Sequence, residues 1–503
     1  MSTPEDPIVE TRQGRLRGAA QPAGGLVFRD VPFAASTAGE GRFAPPRPPS
    51  AWSGVRDGRA IGLVAPQNPP EFNLSTVPAT GEDCLNLNVF TPGPDNGRRP
   101  VLVYIHAGAF VSGSGSGATQ DGSILAREED VVVVTLNYRL GVFGWPPFRS
   151  HGEAVSNNLG LLDQIAALEW VRDNIAAFGG DPGNVTLFGY SAGGWSILAL
   201  MAAPAARGLF HKAAPQSGSD FGAGSPERQA RLAAAFRQRL GGDPLAASAE
   251  ALLAAQNALI EAEQNQASRL TEEGPTFGPW LDGVLLSEEP LAAVIAGRSA
   301  DVPLLIGNTA DELGYAPFRA GLAWLDALHS REAALANLSA AYGAEAAASI
   351  WRAYADAAPG ASEAAVAGHI RSDRYYRLPA VRAAAAHAGR APTWMYQFAL
   401  PAAAEIIGGI STHATDLAFW FGTMAASPLQ AFLFGRAPTP AEEDLSRRMR
   451  RDLAAFARTG RCDWPAYEPA NRATRVYDLE DSLAFDPGQG RREAWPGKPP
   501  GGE

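Results

Sequence analysis

Val185-Thr-Leu-Phe-Gly-Tyr-Ser-Ala-Gly-Gly194 is the stretch on which the fold turns. A short apolar strand, Val185–Phe188, runs directly into Gly189-Tyr190-Ser191-Ala192-Gly193, and Trp195-Ser-Ile-Leu-Ala-Leu-Met201 continues as a helix. This is the single G-x-S-x-G match in the chain, in the strand–turn–helix context that presents a nucleophilic serine. On so sharp a turn the serine backbone is strained, and its neighbours two residues away on each side must be tiny for the chain to pass. The following helix directs its N-terminus at the serine and favours negative charge there. A Gly-rich connection with an incidental serine is the competing reading. A phosphate loop is not, since neither G-x-G-x-x-G nor a Walker lysine is present.

Working outward, Val101-Leu-Val-Tyr-Ile-His106 and Val131-Val-Val-Val-Thr-Leu136 are continuous apolar runs bounded by turn residues, as buried strands are. Ile165 to Phe178 has helical spacing, and Gly179-Gly180-Asp181-Pro182 stops it. Strands alternating with helices predict a large, mostly parallel sheet covered on both faces, the α/β class. In the second half, blocks 226–268 and 322–390 are helical in pattern and rich in Ala, Glu, Gln and Arg. Strand candidates Val302–Gly307 and Trp394–Phe398 persist around them, so the blocks interrupt a continuing sheet. The expectation is one domain over 1–503 with helical insertions at about 226–268 and 322–390 and a Pro/Gly-rich tail at 486–503.

Composition excludes more than it identifies. With 503 residues, 46% of them apolar, the chain can bury a sizeable core, so it is not mainly disordered. A net charge of −11 offers no basic field for a phosphate backbone, so nucleic acid is not expected as a partner. Lys212 and Lys498 are the only lysines, which fits codon bias better than function. The acidic start lacks a signal peptide's basic and apolar regions, and no run reaches the ~18 apolar residues of a spanning helix. Cys84 and Cys462 are too few for a disulfide framework. Two thiols in so long a chain suit a reducing cytosol. The seven histidines show no metal-ligand spacing, so no metal site is expected.

A serine hydroxyl needs a base, an orienting carboxylate and an oxyanion site, in the order Ser…Asp/Glu…His for this architecture. Downstream of Ser191 stand His211, His329, His369, His387 and His413. His211 is close to the turn in sequence, and His329, His369 and His387 fall in Ala-rich helical blocks where a solvated histidine is the plainer reading. His413, in the irregular Gly408-Gly-Ile-Ser-Thr-His413-Ala-Thr-Asp416, can be aimed by its loop. Leu304-Leu-Ile-Gly-Asn-Thr-Ala-Asp311-Glu312 puts two carboxylates just past a core strand, where such sheets display reactive groups. Spacing does not choose between Asp311 and Glu312, and either could cap a helix. The small residues of Ile105-His-Ala-Gly-Ala-Phe110 and Ser112–Gly117 can point backbone N–H groups into a cavity, although the second run also resembles a plain surface loop.

With these pieces in place, the chain resembles the type-B carboxylesterases, the cholinesterase/carboxylesterase branch of the α/β-hydrolases, in the style of bacterial para-nitrobenzyl esterases. The resemblance runs from about Ile8 to Tyr467. It rests on Phe28-Arg-Asp-Val-Pro-Phe-Ala34, Arg42-Phe-Ala-Pro-Pro46, Glu82-Asp-Cys-Leu-Asn-Leu-Asn-Val-Phe90, Asn137-Tyr-Arg-Leu-Gly-Val-Phe-Gly144, Asn158-Leu-Gly-Leu-Leu-Asp-Gln164, Gln216-Ser-Gly-Ser219 and Phe456-Ala-Arg-Thr-Gly460. It implies the α/β-hydrolase fold, with the helical insertions shaping an active-site gorge. It also implies a serine esterase in which Ser191 is nucleophile, His413 base and Glu312 the triad acid, leaving Asp311 structural. The implied oxyanion donors are the N–H groups of Gly108, Ala109 and Ala192, with Tyr190, Ser217 and Asp416 close behind the triad.

Three positions depart from the family pattern. Tyr190 stands where a Glu usually precedes the nucleophile, which replaces a buried acid near the histidine with a phenol. Ala107 takes the first Gly of the oxyanion segment while Gly108 and Ala109 remain. Ala65 takes the place of a family cysteine, so Cys84 has lost its disulfide partner, in keeping with a cytoplasmic location. The reaction expected is two-step hydrolysis of a small-molecule ester with no cofactor, by a monomer or weak homo-oligomer. An adhesion-type scaffold that has lost catalysis is the alternative, as is an acyltransferase or amidase on the same triad. Residues 226–268, 322–390 and Phe419-Trp420-Phe421 are expected near an apolar pocket, although aromatic runs like the last are more often core than ligand contacts. Arg447-Arg-Met-Arg-Arg451 is expected to be a solvated helix face.

Overall fold

The structure, a computed structural model, describes residues 6–68, 78–148, 157–218, 222–264, 275–313, 330–404 and 408–496. His151, Ser219, His329 and Lys498, like parts of both helical blocks and of the tail, lie outside them. A small sheet joins β1 (Ile8–Thr11), β2 (Gly14–Arg17) and β5 (Val55–Asp57). The main sheet has eleven strands: β3 (Ala19–Ala20), β4 (Leu26–Pro32), β6 (Asn86–Thr91), β7 (Arg99–Ile105), β8 (Val132–Leu136), β9 (Gly180–Tyr190), β10 (Lys212–Gln216), β11 (Leu304–Thr309), β12 (Thr393–Phe398), β13 (Ala473–Tyr477) and β14 (Ser482–Phe485). Their order is β14-β13-β12-β11-β10-β9-β7-β8-β6-β4-β3, which puts β9 in the middle. From β8 to β13 every neighbour is parallel, while β14 at one margin and β6, β4 and β3 at the other run antiparallel.

Both faces of this sheet are buried, which is why its strands read as unbroken apolar runs. Val101, Val103 and Ile105 of β7 and Val185 and Leu187 of β9 pack on one side, against the helices Leu159–Asn174 and Ala192–Ala202. Leu102 and Tyr104 of β7 and Phe188 and Tyr190 of β9 pack on the other. There they meet the helices Leu417–Phe421 and Pro440–Thr459. The helix expected from Ile165 begins earlier, at Leu159, and Gly179 ends its 3-10 extension with φ +81°. β9 then starts at Gly180, five residues before its apolar run.

One surface expectation is corrected. The Arg447–Arg451 run is only partly solvated. Arg450 is buried, donating to Ser446 Oγ and pairing with Glu128 at 2.5 Å, and Arg448 pairs with Asp481 at 2.8 Å. Phe419-Trp420-Phe421 is fully buried core. Among the described residues no helix is long and apolar enough to cross a membrane, and no group of His, Cys, Asp and Glu could hold a metal ion.

Candidate active site

Ser191 caps the central strand at the N-terminus of the helix Ala192–Ala202, with φ +55° and ψ −117°. The turn needs its glycines for want of space. A Cβ on Gly193 would lie 1.9 Å from the Ile105 carbonyl oxygen, and one on Gly189 would lie 2.8 Å from the same atom. A Cβ on Gly194 would meet the Gln216 carbonyl at 2.7 Å. The Ser191 N–H donates to the Gln216 carbonyl at 2.9 Å, tying the turn to β10. With its neighbours in contact on both sides, the serine cannot relax back into the sheet. Non-glycine residues with positive φ recur around it, at Ala109, Phe110, Ser217 and Ala414, so backbone strain gathers at this end of the sheet.

Glu312 lies three residues beyond β11, and its carboxylate is fully buried. One oxygen accepts from the Thr309 N–H at 2.8 Å and from Ser217 Oγ at 2.5 Å; the other meets His413 Nδ1 at 2.5 Å. The loop that carries His413 is fastened to the same turn, because the His413 N–H donates to the Glu312 carbonyl at 3.2 Å. The short contact to Nδ1 sets the tautomer, with the proton on Nδ1 and the lone pair on Nε2. No hydrogen bond joins Ser191 Oγ to His413 in the resting protein. Such bonds are often long without substrate and tighten when it binds.

Asp311 takes a different partner. It forms a 3.3 Å pair with His369 Nε2, which raises the His369 pKa through that hydrogen bond and attraction. His369 is therefore no free surface group, and His387 is buried, with Nε2 on the Val302 carbonyl at 2.8 Å. In both cases an Ala-rich helix packs its histidine inward, which composition alone hides. His211 Nδ1 accepts from the Val185 N–H at 3.1 Å, holding the start of β9's apolar run.

The segment after β7 supplies the candidate oxyanion donors. Gly108 has φ +121° and Ala109 φ +51°, and a Cβ on Gly108 would overlap the Ser112 carbonyl at 2.0 Å. The N–H groups of Gly108, Ala109 and Ala192 donate to no acceptor among the described residues. Far from a loose surface loop, 112–117 is largely buried and braced from several sides. Gln67 exchanges hydrogen bonds with the Gly113 peptide, at 2.8 Å each way. Asn137 accepts from the Gly115 N–H at 2.9 Å, and Asn88 donates to the Gly115 carbonyl at 3.1 Å. His106 stacks on Tyr138 at 4.3 Å, and burial lowers its pKa to about 4, so it stays neutral. Gln67, Thr309 and Tyr376 were not singled out in the sequence, and no motif would have found them.

Behind the histidine, Tyr190 is buried and its oxygen accepts the Ala414 N–H. Its ring lies 4.9 Å from the His413 ring, and Tyr376 lies 5.1 Å from the same imidazole. Asp416, one step deeper, accepts from Trp420 Nε1 at 3.0 Å, and its second oxygen has no partner among the described residues. Burial pushes its pKa up to about 7, helped by the Glu312 charge and opposed by the Trp420 bond. Such a constellation can hold a proton-accepting imidazole, an electron-rich hydroxyl and an anion-binding pocket in one place.

Comparison with known proteins follows the same lines. The model of the carboxylesterase family matches residues 5–489. The para-nitrobenzyl esterase of Bacillus subtilis (strain 168) is 40% identical over 499 residues, covering 97% of this chain and 98% of that protein. The phenmedipham hydrolase of Pseudarthrobacter oxydans is 33% identical, over 90% of each chain. Among solved structures, a PNB esterase superposes with a TM-score of 0.85 at 39% identity, over 97% of this chain and 99% of the other. A Geobacillus stearothermophilus carboxylesterase superposes with a TM-score of 0.83 at 35% identity, over 97% and 100%.

Proposed function

Because the chain belongs to the carboxylesterase family and is a serine carboxylesterase of the α/β-hydrolase fold, we propose that Ser191, His413 and Glu312 are the residues that open its ester substrates. The observation that carries this assignment is the Glu312–His413 contact at 2.5 Å, in a site whose serine sits on the strained turn at the end of β9. Ser191 Oγ attacks the ester carbonyl while His413 Nε2 takes its proton, and Glu312 stabilises the resulting imidazolium. The N–H groups of Gly108, Ala109 and Ala192 receive the oxyanion, each such donor being worth about 10²–10³ in rate. The alcohol leaves with the proton from His413, and a water then attacks the acyl-enzyme by the same route and frees the acid. No step calls for a metal or cofactor.

The same reading makes the chain one catalytic domain, supported by a single sheet that runs from Ala19 to Phe485. It places the protein in the cytoplasm, in keeping with two free thiols. It also makes it a monomer or weak homo-oligomer, in keeping with the net charge of −11. The decisive test is Ser191→Ala, assayed on a short-chain nitrophenyl ester alongside fluorophosphonate labelling. Turnover is expected to fall by about 10³-fold or more and labelling to vanish. Turnover near the wild-type rate in that variant ends the assignment.

A further inference from the structure

Tyr190 occupies an unusual place: a phenol, fully buried, wedged between the nucleophile's strand and the loop that carries the base. It immediately precedes Ser191, yet its side chain lies on the opposite face of the sheet from the helix that follows the serine. Its oxygen accepts the Ala414 N–H, from the residue next to His413, and lies 3.3 Å from His413 Nδ1. Nδ1 already gives its proton to Glu312, so the phenol oxygen is a second, weaker acceptor there and not a donor to the ring. The Ser217 hydroxyl nearby donates to Glu312, so it serves the same carboxylate as the base does. The residue thus reaches the base and the loop that carries it.

We propose that Tyr190 is the positioning residue for the general base: it pins the His413 loop through Ala414 and braces the imidazole against Tyr376 on the ring's other contact, while adding no negative charge beside it. The proposal rests on the triad assignment above. Ala414 has φ +70°, a conformation that an alanine holds only when something fixes its peptide, and the Tyr190 hydroxyl is the acceptor that its N–H finds. The absence of charge matters as much as the anchor. Among the described residues, the titratable groups around the imidazole are Glu312 from the turn after β11, Tyr190 from β9, Tyr376 from the segment Asp373–Arg377 and Asp416 from its own loop. Asp311 on the same turn is engaged with His369. Glu312 is the one carboxylate in contact with the ring, while burial holds both phenols neutral and shifts Asp416 toward its protonated form. A base with one carboxylate neighbour is less readily trapped as imidazolium than a base with two.

Two substitutions separate anchor from charge. Tyr190→Phe keeps the ring and removes the acceptor, so kcat is expected to fall about tenfold with KM within about twofold. Tyr190→Glu restores an acceptor for Ala414 but sets a carboxylate beside the ring. Its rate at high pH is expected to lie above that of Tyr190→Phe, and the acid limb of its kcat/KM profile to move up by about one pH unit or more. Fluorophosphonate labelling of Ser191, followed against pH, reads the same limb without substrate binding. Wild-type kcat in Tyr190→Phe, or an unmoved acid limb in a folded Tyr190→Glu, overturns the proposal. So does a Tyr190→Phe loss that falls on KM as much as on kcat, the mark of general loosening. These outcomes are distinct from failure of the triad assignment, which would appear as wild-type protein that labels and turns over independently of Ser191.

Discussion

At the scale of single residues, Asp416 carries the clearest pH signature. Its folded pKa of about 7 lies far above the ordinary 3.8, first because burial disfavours the carboxylate. The native protein therefore binds that proton more tightly than the unfolded chain. The stability this gives is complete below about pH 4 and is lost as pH rises through about 7. Asp416→Asn keeps an acceptor for Trp420 and removes the titration. Between pH 5 and pH 8 the variant should gain on the wild type by on the order of 2–3 kcal/mol, measured by denaturant unfolding at each pH. A difference that stays constant with pH contradicts the assignment. Residue identity made Ser191 readable, because its constraints are local: two small neighbours, a strand before and a helix after. It left Asp311 and Glu312 undivided, since adjacent carboxylates differ only in what the fold brings to them. Here that is His369, from the helix Glu363–Ser372, for one and His413, from the loop after β12, for the other.

At the scale of elements, the strand–turn–helix unit is rigid because its backbone is packed against backbone. Gly193→Ala tests this. The added methyl would meet a carbonyl in the middle of the sheet, 1.9 Å away, and neither chain can yield cheaply. A loss of about 1–3 kcal/mol is expected, with activity falling further than stability because Ser191 and the Ala192 N–H move with the turn. Unchanged unfolding and unchanged turnover would show that the turn is looser than its contacts imply. The central strands were legible because both their faces are buried and their sequences stay apolar throughout. β10 was less so. Lys212-Ala-Ala-Pro-Gln216 carries a proline in a central parallel strand, and its pairing survives because the Ala213 and Ser217 N–H groups on either side of Pro215 reach Pro303 and Gly307. The edge strands β3 and β14 are short and largely exposed, and periodicity gave little notice of them.

At the scale of the whole molecule, cohesion comes from packing and not from covalent cross-links. Both cysteines are free, Cys84 is buried with its pKa pushed up to about 12 by desolvation, and Ala65, buried in the same core, brings no sulfur. A thiol reductant is therefore expected to leave the melting temperature unchanged within about 1 °C, and Cys84 to react with a maleimide only once the protein unfolds. A reductant-dependent melting temperature would reveal a bridge. The order of the strands also governs how the molecule is made. Apart from the exchange of β7 and β8, the sheet is laid down from one margin to the other in the order in which a ribosome releases it. A nascent chain that has delivered β10 but not β11 holds Ser191 and the oxyanion segment, yet lacks Glu312 and His413, and shows an open strand edge to its surroundings. With the proposed triad incomplete, such chains are expected to be inert toward esters and adhesive at once, so the interval between the tenth strand and the twelfth is when nascent chains most need shielding from one another.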